Sequence, residues 1–216
     1  MRTLKEMNNF DQQRLQMVAD QIQRRGISDK RVLRTMKTVP RHLFVDEPHK
    51  QLAYCDGPLP IEHGQTISQP YIVAFMTDEL KIESQHTILE IGTGCGYQAA
   101  VLSMLAKEII SLEFVAKLAN DARKRLIDLG YSNIQVHNAN GITGWKENAP
   151  YDRIIGTAAP TSMPDKLIEQ LAPQGRMIIP VGDSVFNQSL YIITKNKKGK
   201  VKINRSLGVR FVPMVG

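Results

Sequence analysis

The chain is poor in the residues that cross-link small exported domains or stack on nucleobases: two cysteines, one tryptophan and 6% aromatics in 216 residues. Cys55 and Cys95 lie outside any Cys-x-x-Cys pattern, which excludes a disulfide framework and a thiolate zinc site. A reducing, cytoplasmic compartment follows as the expectation. No segment approaches the ~18 apolar residues of a membrane span, and Met1–Phe10 lacks the apolar core of a signal peptide, so neither membrane insertion nor export is expected. His42, His49, His63, His86 and His137 show no metal-ligand spacing, and no metal is expected. Trp145, without neighbouring aromatics, makes no base-stacking platform and reads as a packing anchor. Repeats and low-complexity linkers are absent.

What is present is ordinary globular material, 42% hydrophobic and 23% charged. The length fits one domain over 1–216, with a helical and loop cap over 1–84 and a core over 85–216. A monomer is the default, because no exposed heptad or second domain argues otherwise. The formal charge of +7 raises nucleic acid or another anionic partner without establishing either.

Leu15, Val18, Ala19 and Ile22 recur at helical spacing within Asp11–Gln23, predicting one buried face and a stop at Gly26. Ser28 is placed to cap a second helix through Val32, Leu33 and Met36, which must end before Pro40. Residues 54–70, with three prolines and two glycines, read as a long ordered loop of the functional kind. Ser68 precedes a helix carrying Ile72, Phe75, Met76 and Leu80, and by position it can serve as the N-cap.

From His86 onward strands and helices alternate. Strands are expected at 87–91, 109–113, 134–137, 153–156, 176–181, 190–194 and 209–212, with helices at 97–105, 115–129 and 164–171. That order predicts an α/β fold, a doubly wound Rossmann-like sheet that is mostly parallel. The last two strands lack a helix between them, and Lys195-Asn196-Lys197-Lys198-Gly199-Lys200 reads as a turn, giving an antiparallel edge pair.

The first strand-to-helix junction reads Leu89-Glu90-Ile91-Gly92-Thr93-Gly94-Cys95-Gly96-Tyr97. Gly92, Gly94 and Gly96 permit a tight turn and close approach of a ligand. Their spacing departs from the nicotinamide fingerprint. A carboxylate at Glu90 repels a pyrophosphate but attracts the ammonium and sulfonium of S-adenosylmethionine, directly or through water. Glu113 ends the second strand 17 positions after Gly96, where an acid can accept from ribose hydroxyls. Asn140-Gly141 ends the third strand, where it can read an adenine edge or merely turn the chain.

Beyond this loop the chain resembles the protein-L-isoaspartate O-methyltransferase family. The strings Val39-Pro40-Arg41, Phe44-Val45-Asp46-Glu47, Leu59-Pro60-Ile61 and Gly64-Gln65-Thr66-Ile67-Ser68-Gln69-Pro70 carry the resemblance on the N-terminal side. Thr157-Ala158-Ala159, Leu171-Ala172-Pro173-Gln174-Gly175-Arg176, Pro180-Val181-Gly182 and Val209-Arg210-Phe211-Val212-Pro213-Met214 follow in order. The resemblance implies methyl transfer from S-adenosylmethionine, with S-adenosylhomocysteine as product, to the free carboxylate of L-isoaspartyl (or D-aspartyl) residues in damaged proteins and peptides. It implies Ser68 as the active-site residue and, together with the loop read above, a cofactor site of Glu90, Gly92, Gly94, Gly96, Glu113, Asn140, Gly141 and Thr157; Thr66, Ile67 and Arg210 are candidate substrate contacts, with a surface or intramolecular ion pair the alternative for Arg210. The chain departs from the family pattern in three places: Asn140 where Asp is common, Phe114 where Arg often follows the acid, and Cys95 where Ser is frequent.

Two other readings share the scaffold: a nucleic-acid methyltransferase and a cofactor-binding module without turnover. The first lacks the Asn-Pro-Pro-Tyr or Asp-Pro-Pro-Tyr motif of base-amine methylation, since Ile155 leads instead into Gly156-Thr157-Ala158-Ala159-Pro160. No obligate nucleic-acid partner is expected. The basic surface is expected to favour carboxylate-bearing peptides.

Overall fold

The computed structural model describes residues 4–183 and 187–216, with side chains from residue 9 onward. Helix α1 (Leu4–Met17) begins earlier than the apolar spacing suggests and runs into a wide π turn at Val18–Ile22 before Gly26 reverses the chain at φ 97°. The buried face is Phe10 and Met17, seven apart on α1, continued by Val18 and Ile22 within the π turn. Leu15, 51% exposed, and Ala19 point to solvent, contrary to the expected stripe. Helix α2 (Lys30–Thr38) buries Val32, Leu33 and Met36 as expected, but its cap is Asp29, whose carboxylate accepts from the Arg31 amide at 2.8 Å, and not Ser28.

The segment over 54–70 is more regular than its proline content suggests. Strands β1 (Leu59–Pro60) and β2 (Thr66–Ile67) pair antiparallel, Leu59 with Ile67 and Pro60 with Thr66. Helix α3 (Pro70–Glu79) follows, with Gln69 at the N-cap position and no side chain capping it. Its inner face is Val73, Ala74, Met76, Thr77 and Leu80, while Ile72 and Phe75 are only half-buried.

The core then alternates β3 (Thr87–Ile91), α4 (Tyr97–Ser103), β4 (Glu108–Glu113), α5 (Ala116–Asp128), β5 (Ile134–Asn138), β6 (Tyr151–Gly156), α6 (Asp165–Glu169), β7 (Leu171–Val181), β8 (Gln188–Lys195) and β9 (Val201–Val209). The seven strands of the sheet lie in the order β5-β4-β3-β6-β7-β8-β9. β3 through β7 pair in parallel, and β7-β8-β9 is an antiparallel meander. The antiparallel edge pair is as expected, but the last strand starts at once after the lysine turn and ends at Val209. The expected strand at 209–212 is absent because Phe211 is held by a side chain instead, as described below. The helix expected over 164–171 is cut short at Glu169 since Leu171 already belongs to β7.

The alternation of side chains across the strands separates two buried layers. Ile88, Ile109, Val136, Ile178 and Leu190 pack with Met17, Ile22, Met36, Val73 and Met76, so the N-terminal elements and one sheet face share a continuous core. Leu89, Ile91, Ile110, Leu112, Ile154 and Ile179 pack on the other face with Leu167 and Leu171. Polar groups fix α3 against the sheet. The Arg153 guanidinium on β6 donates to the carbonyls of Leu80 (2.5 Å) and Lys81 (3.0 Å), satisfying the carbonyls that a helix end leaves open. Arg176 on β7 pairs with Glu79 at 2.6 Å. Fully buried Arg41 donates to Ala53 O at 2.7 Å and lies 5.1 Å over the Tyr97 ring, linking the N-terminal cap to the first residue of α4. Among the described residues no helix is long and apolar enough to cross a membrane.

Candidate active site

The sheet order reverses between β3 and β6, and ligands of doubly wound sheets bind at the carboxyl ends of the strands flanking such a reversal. The loop after β3 has three residues at positive φ, Gly92 (96°), Gly94 (52°) and Gly96 (89°), a conformation that side chains resist. Space adds a second demand at Gly92. A Cβ there would stand 2.5 Å from Oγ1 of Thr157, which donates to Ile91 O at 3.0 Å and so closes β6 against β3.

Glu113, at the end of β4, is buried and accepts through one oxygen from the Gly94 amide at 2.8 Å and through the other from the Val115 amide at 2.9 Å. It thus ties the glycine loop to the start of α5, and each oxygen retains a lone pair for a further donor. Beside it a small slot of about 40 Å³ is walled by Ile91, Leu112, Phe114, Gly141, Ala158 and Met214. Gly141 is required by space, because a Cβ would lie 2.3 Å from Ile91. Asn140 does not line this slot: its Oδ1 caps the following turn by accepting from the Ile142 amide at 2.9 Å. Phe114, 48% exposed, supplies the slot with an aromatic wall that the sequence reading left without a role.

Glu90 is fully buried and lies one layer below the loop. Ser111 Oγ donates to its Oε2 and is 2.6 Å from Thr93 Oγ1, so a chain of hydroxyls links the carboxyl to the loop. Its other oxygen has no partner among the described residues. Burial pushes the Glu90 carboxyl up to about 8, opposed by the Ser111 hydrogen bond and reinforced by the charge of Glu113.

Ser68 lies between β2 and α3, half-buried. It borders a cleft of about 590 Å³ that also includes Thr66, Gln69, Gln188, Val209 and Arg210, and a second, small cavity of about 40 Å³ formed with Ile67, Gly92, Thr93, Gly94 and Thr157. It therefore stands where the wide cleft meets the glycine loop. Its hydroxyl makes no hydrogen bond among the described residues, and the capping role open to it in the sequence is not taken. Thr66 is exposed on the cleft wall, Ile67 is buried beneath it, and Arg210 is exposed on the rim. His63 stands on the outside of the β1–β2 turn at φ 58° and 3.9 Å from Glu62, away from the cleft.

Sequence reasoning missed Gln188. Its buried amide donates to Phe211 O at 3.1 Å and accepts from Phe211 N at 2.6 Å, replacing a strand partner with one side chain and setting the cleft wall over 208–211. A glutamine at a strand start carries no local signal of this. Among the described residues no three His, Cys, Asp or Glu side chains form a group that could hold a metal ion.

Comparison with known proteins extends the geometry. The protein-L-isoaspartate(D-aspartate) O-methyltransferase family profile matches residues 12–216. The chain is 50% identical over 210 residues to protein-L-isoaspartate O-methyltransferase 1 of Syntrophobacter fumaroxidans, covering 97% of each chain. It is 47% identical to protein-L-isoaspartate O-methyltransferase 2 of Pelobacter propionicus, covering 97% of this chain and 93% of the other. Its fold superposes with a TM-score of 0.78 and 26% identity on the Plasmodium falciparum beta-aspartate methyltransferase solved in complex with S-adenosyl-L-homocysteine, covering 94% and 98% of the two chains. The chain belongs to the protein-L-isoaspartate(D-aspartate) O-methyltransferase family, and with it to the enzymes that methylate a protein carboxylate from S-adenosylmethionine.

Proposed function

We propose that the wide cleft receives an isoaspartyl segment of a damaged protein or peptide and that Ser68 orients its free carboxylate for methylation. The uncommitted Ser68 hydroxyl at the junction of cleft and glycine loop is the observation that carries this reading. A free α-carboxylate has a pKa of roughly 3.3–3.7 and is ionised at neutral pH, so it needs no general base. The polar groups named along the cleft, Thr66, Ser68, Gln69, Gln188 and Arg210, include none. The Ser68 hydroxyl donates to one carboxylate oxygen and leaves the other directed at the glycine loop, a contribution of positioning rather than proton transfer. Arg210 on the rim attracts the anionic substrate, while Thr66 and Ile67 shape the wall beside it.

The residues fit S-adenosylmethionine: Gly92, Gly94 and Gly96 leave the backbone approachable, Glu113 has acceptor capacity for ribose hydroxyls, and the half-exposed Phe114 ring beside it offers a face on which a purine can stack. The open oxygen of buried Glu90 is matched to a cationic group. When bound, the cofactor supplies an electrophilic sulfonium methyl. Asn140 and Thr157 support the site through backbone geometry. The methyl ester formed on the substrate closes to a succinimide when a backbone amide nitrogen attacks the ester carbonyl and displaces methanol, and hydrolysis of the succinimide restores part of the normal aspartate.

The continuous core supports residues 1–216 acting as one unit, a cap over 1–84 on a core over 85–216. The free thiols of Cys55 and Cys95 support a cytoplasmic location. A monomer without an obligate nucleic-acid partner is sufficient for the chemistry, because cleft and loop belong to one chain.

The test is Ser68→Ala assayed with an isoaspartyl peptide, its normal aspartyl counterpart and total RNA. The expected result is base-labile labelling of the isoaspartyl peptide alone, with kcat about 10–100-fold lower in the variant and unchanged affinity for S-adenosylhomocysteine. Full activity of the variant would remove Ser68 from the site.

A further inference from the structure

The charge of this chain is not spread over its surface. After Asp183 there is no acidic residue, and Lys195, Lys197, Lys198, Lys200, Lys202, Arg205 and Arg210 all follow. Removing those seven from the 28 Lys and Arg leaves 21, equal to the 21 Asp and Glu, so the formal +7 equals the charge carried from the end of β8 through the lysine turn and β9 to Arg210. The structure gives that charge a definite place. β9 is the outermost strand of the sheet, with one side hydrogen-bonded to β8 and the other open. The turn that leads into it is closed by a side chain: Asn196 Oδ1 accepts from the amides of Lys198 and Lys200, each at 2.9 Å. Lys197, Lys198, Lys200 and Lys202 are exposed, and among the described residues no ion pair engages them. The other end of β9 opens into the substrate cleft, where Gly208 and Val209 form part of its wall.

An exposed nine-residue edge strand is a template for pairing, and cells normally blunt such edges. Here the lysines blunt it against one class of partner only. A second copy laid along β9 would bring like charges together. Nucleic acid would meet charge but no stacking platform, because β9 contains no aromatic residue. An extended acidic polypeptide satisfies both the open backbone and the charge, and the substrate is a polypeptide whose chain must leave the cleft.

Resting on the reading of the cleft given above, we infer that the open edge of β9 is a docking track for the substrate: the chain flanking the isoaspartyl residue adds as a further strand, and acidic flanks are selected. β9 spans about 26 Å at ~3.3 Å per residue, so roughly eight substrate residues are engaged. The arrangement favours locally unfolded, acidic segments over folded ones, since only an extended chain can add to a sheet edge.

The experiment compares isoaspartyl peptides that carry eight-residue acidic, neutral or basic extensions on either side with a short neutral peptide confined to the cleft. On one side the acidic extension is expected to raise kcat/KM about fivefold over the neutral one at low salt, through KM, and to lose the gain at high salt. The gain should vanish in a Lys197→Gln, Lys198→Gln, Lys200→Gln, Lys202→Gln variant that methylates the short peptide at the wild-type rate. Methylating alternate backbone nitrogens of the extension should also abolish it. Binding of a fluorescent acidic extension without isoaspartate, followed by anisotropy, gives a readout independent of turnover. A gain that survives the lysine replacements or the N-methylation, indifference to flank charge, or tighter binding of an RNA oligonucleotide would each overturn the inference. Failure to methylate the short peptide would overturn the proposed function instead, while anisotropy still decides whether the track binds acidic chain.

Discussion

The two sides of the proposed active site are built by different means. On the cofactor side, shape is set by backbone: three positive-φ glycines within five residues, and a carboxylate, Glu113, that holds two amides of neighbouring turns. On the substrate side, shape is set by side chains reaching across long stretches of sequence. Gln188 clamps Phe211, Gln69 donates to Asp56 at 2.7 Å, and Arg153 and Arg176 hold the helix that follows Ser68. The difference teaches which part tolerates change. A backbone-built site fails when any atom is added, whereas a side-chain-built one loosens by degrees.

Gly92→Ala presses hardest on this contrast. The left-handed conformation costs about 1–2 kcal/mol for a non-glycine residue, and the clash with Thr157 adds to it. Cofactor affinity measured by calorimetry should fall at least 100-fold, and retained affinity would show that the loop adapts. Gln188→Ala is the counterpart on the substrate side. Leaving Phe211 without its partner costs about 1–3 kcal/mol locally, so KM for an isoaspartyl peptide should rise about fivefold to tenfold with cofactor affinity unchanged. A matching loss of cofactor affinity would mean that the two sides are one rigid unit.

Glu90 bears on the same contrast because its carboxyl is fully buried beneath the glycine loop. Its folded pKa of about 8 lies above the unfolded 4.5, so the folded state holds the proton more tightly. Stability from this group is therefore complete below the unfolded value and declines as pH rises through about 8, by about 2–3 kcal/mol between pH 6 and 9. Binding of a cation needs the ionised form, so cofactor affinity should rise over the same interval. Glu90→Gln should flatten both profiles, measured by thermal unfolding and calorimetry; persistence of either slope in the variant would assign it to another group. The smallest effect belongs far from both sides. Leu15→Gln should change unfolding free energy by less than about 0.5 kcal/mol, while Met17→Ala should cost about 2–5 kcal/mol, a direct check on the face that α1 buries.

The same contrast explains what could be read in advance. Thr87–Ile91 and the loop after it were legible residue by residue, since a short apolar run and a glycine cluster state local backbone requirements. The carboxyl ends of the other parallel strands followed from the alternation of strand and helix. Leu15 and Ala19 misled because the expected stripe treats 11–23 as one unbroken α-helix, whereas Phe10 and Met17, seven apart on α1, set the buried face ahead of the π turn and leave Leu15 out, and within the π turn Val18 and Ile22 are buried and Ala19 is not. The final strand was misplaced because β9 is exposed on both faces, so Val201-Lys202-Ile203-Asn204-Arg205 lacks the burial that sharpens a strand pattern. Ser68 was legible in identity but not in state: the family string marked it, while its local position fitted a helix cap equally well.

The sequence by itself determined the glycine loop with its acids Glu90 and Glu113, the alternation that winds the sheet, and the lysine turn. Each of these is encoded in contiguous residues through backbone conformation or hydrophobic period. The fold, by contrast, leaves the Ser68 hydroxyl uncommitted, fastens Phe211 to Gln188, seals Glu90 below the loop and leads the lysine turn into an open strand edge that ends at the cleft. Those facts depend on partners tens of residues away, and a buried polar group or an unpaired strand edge acquires its meaning only from what the fold places beside it.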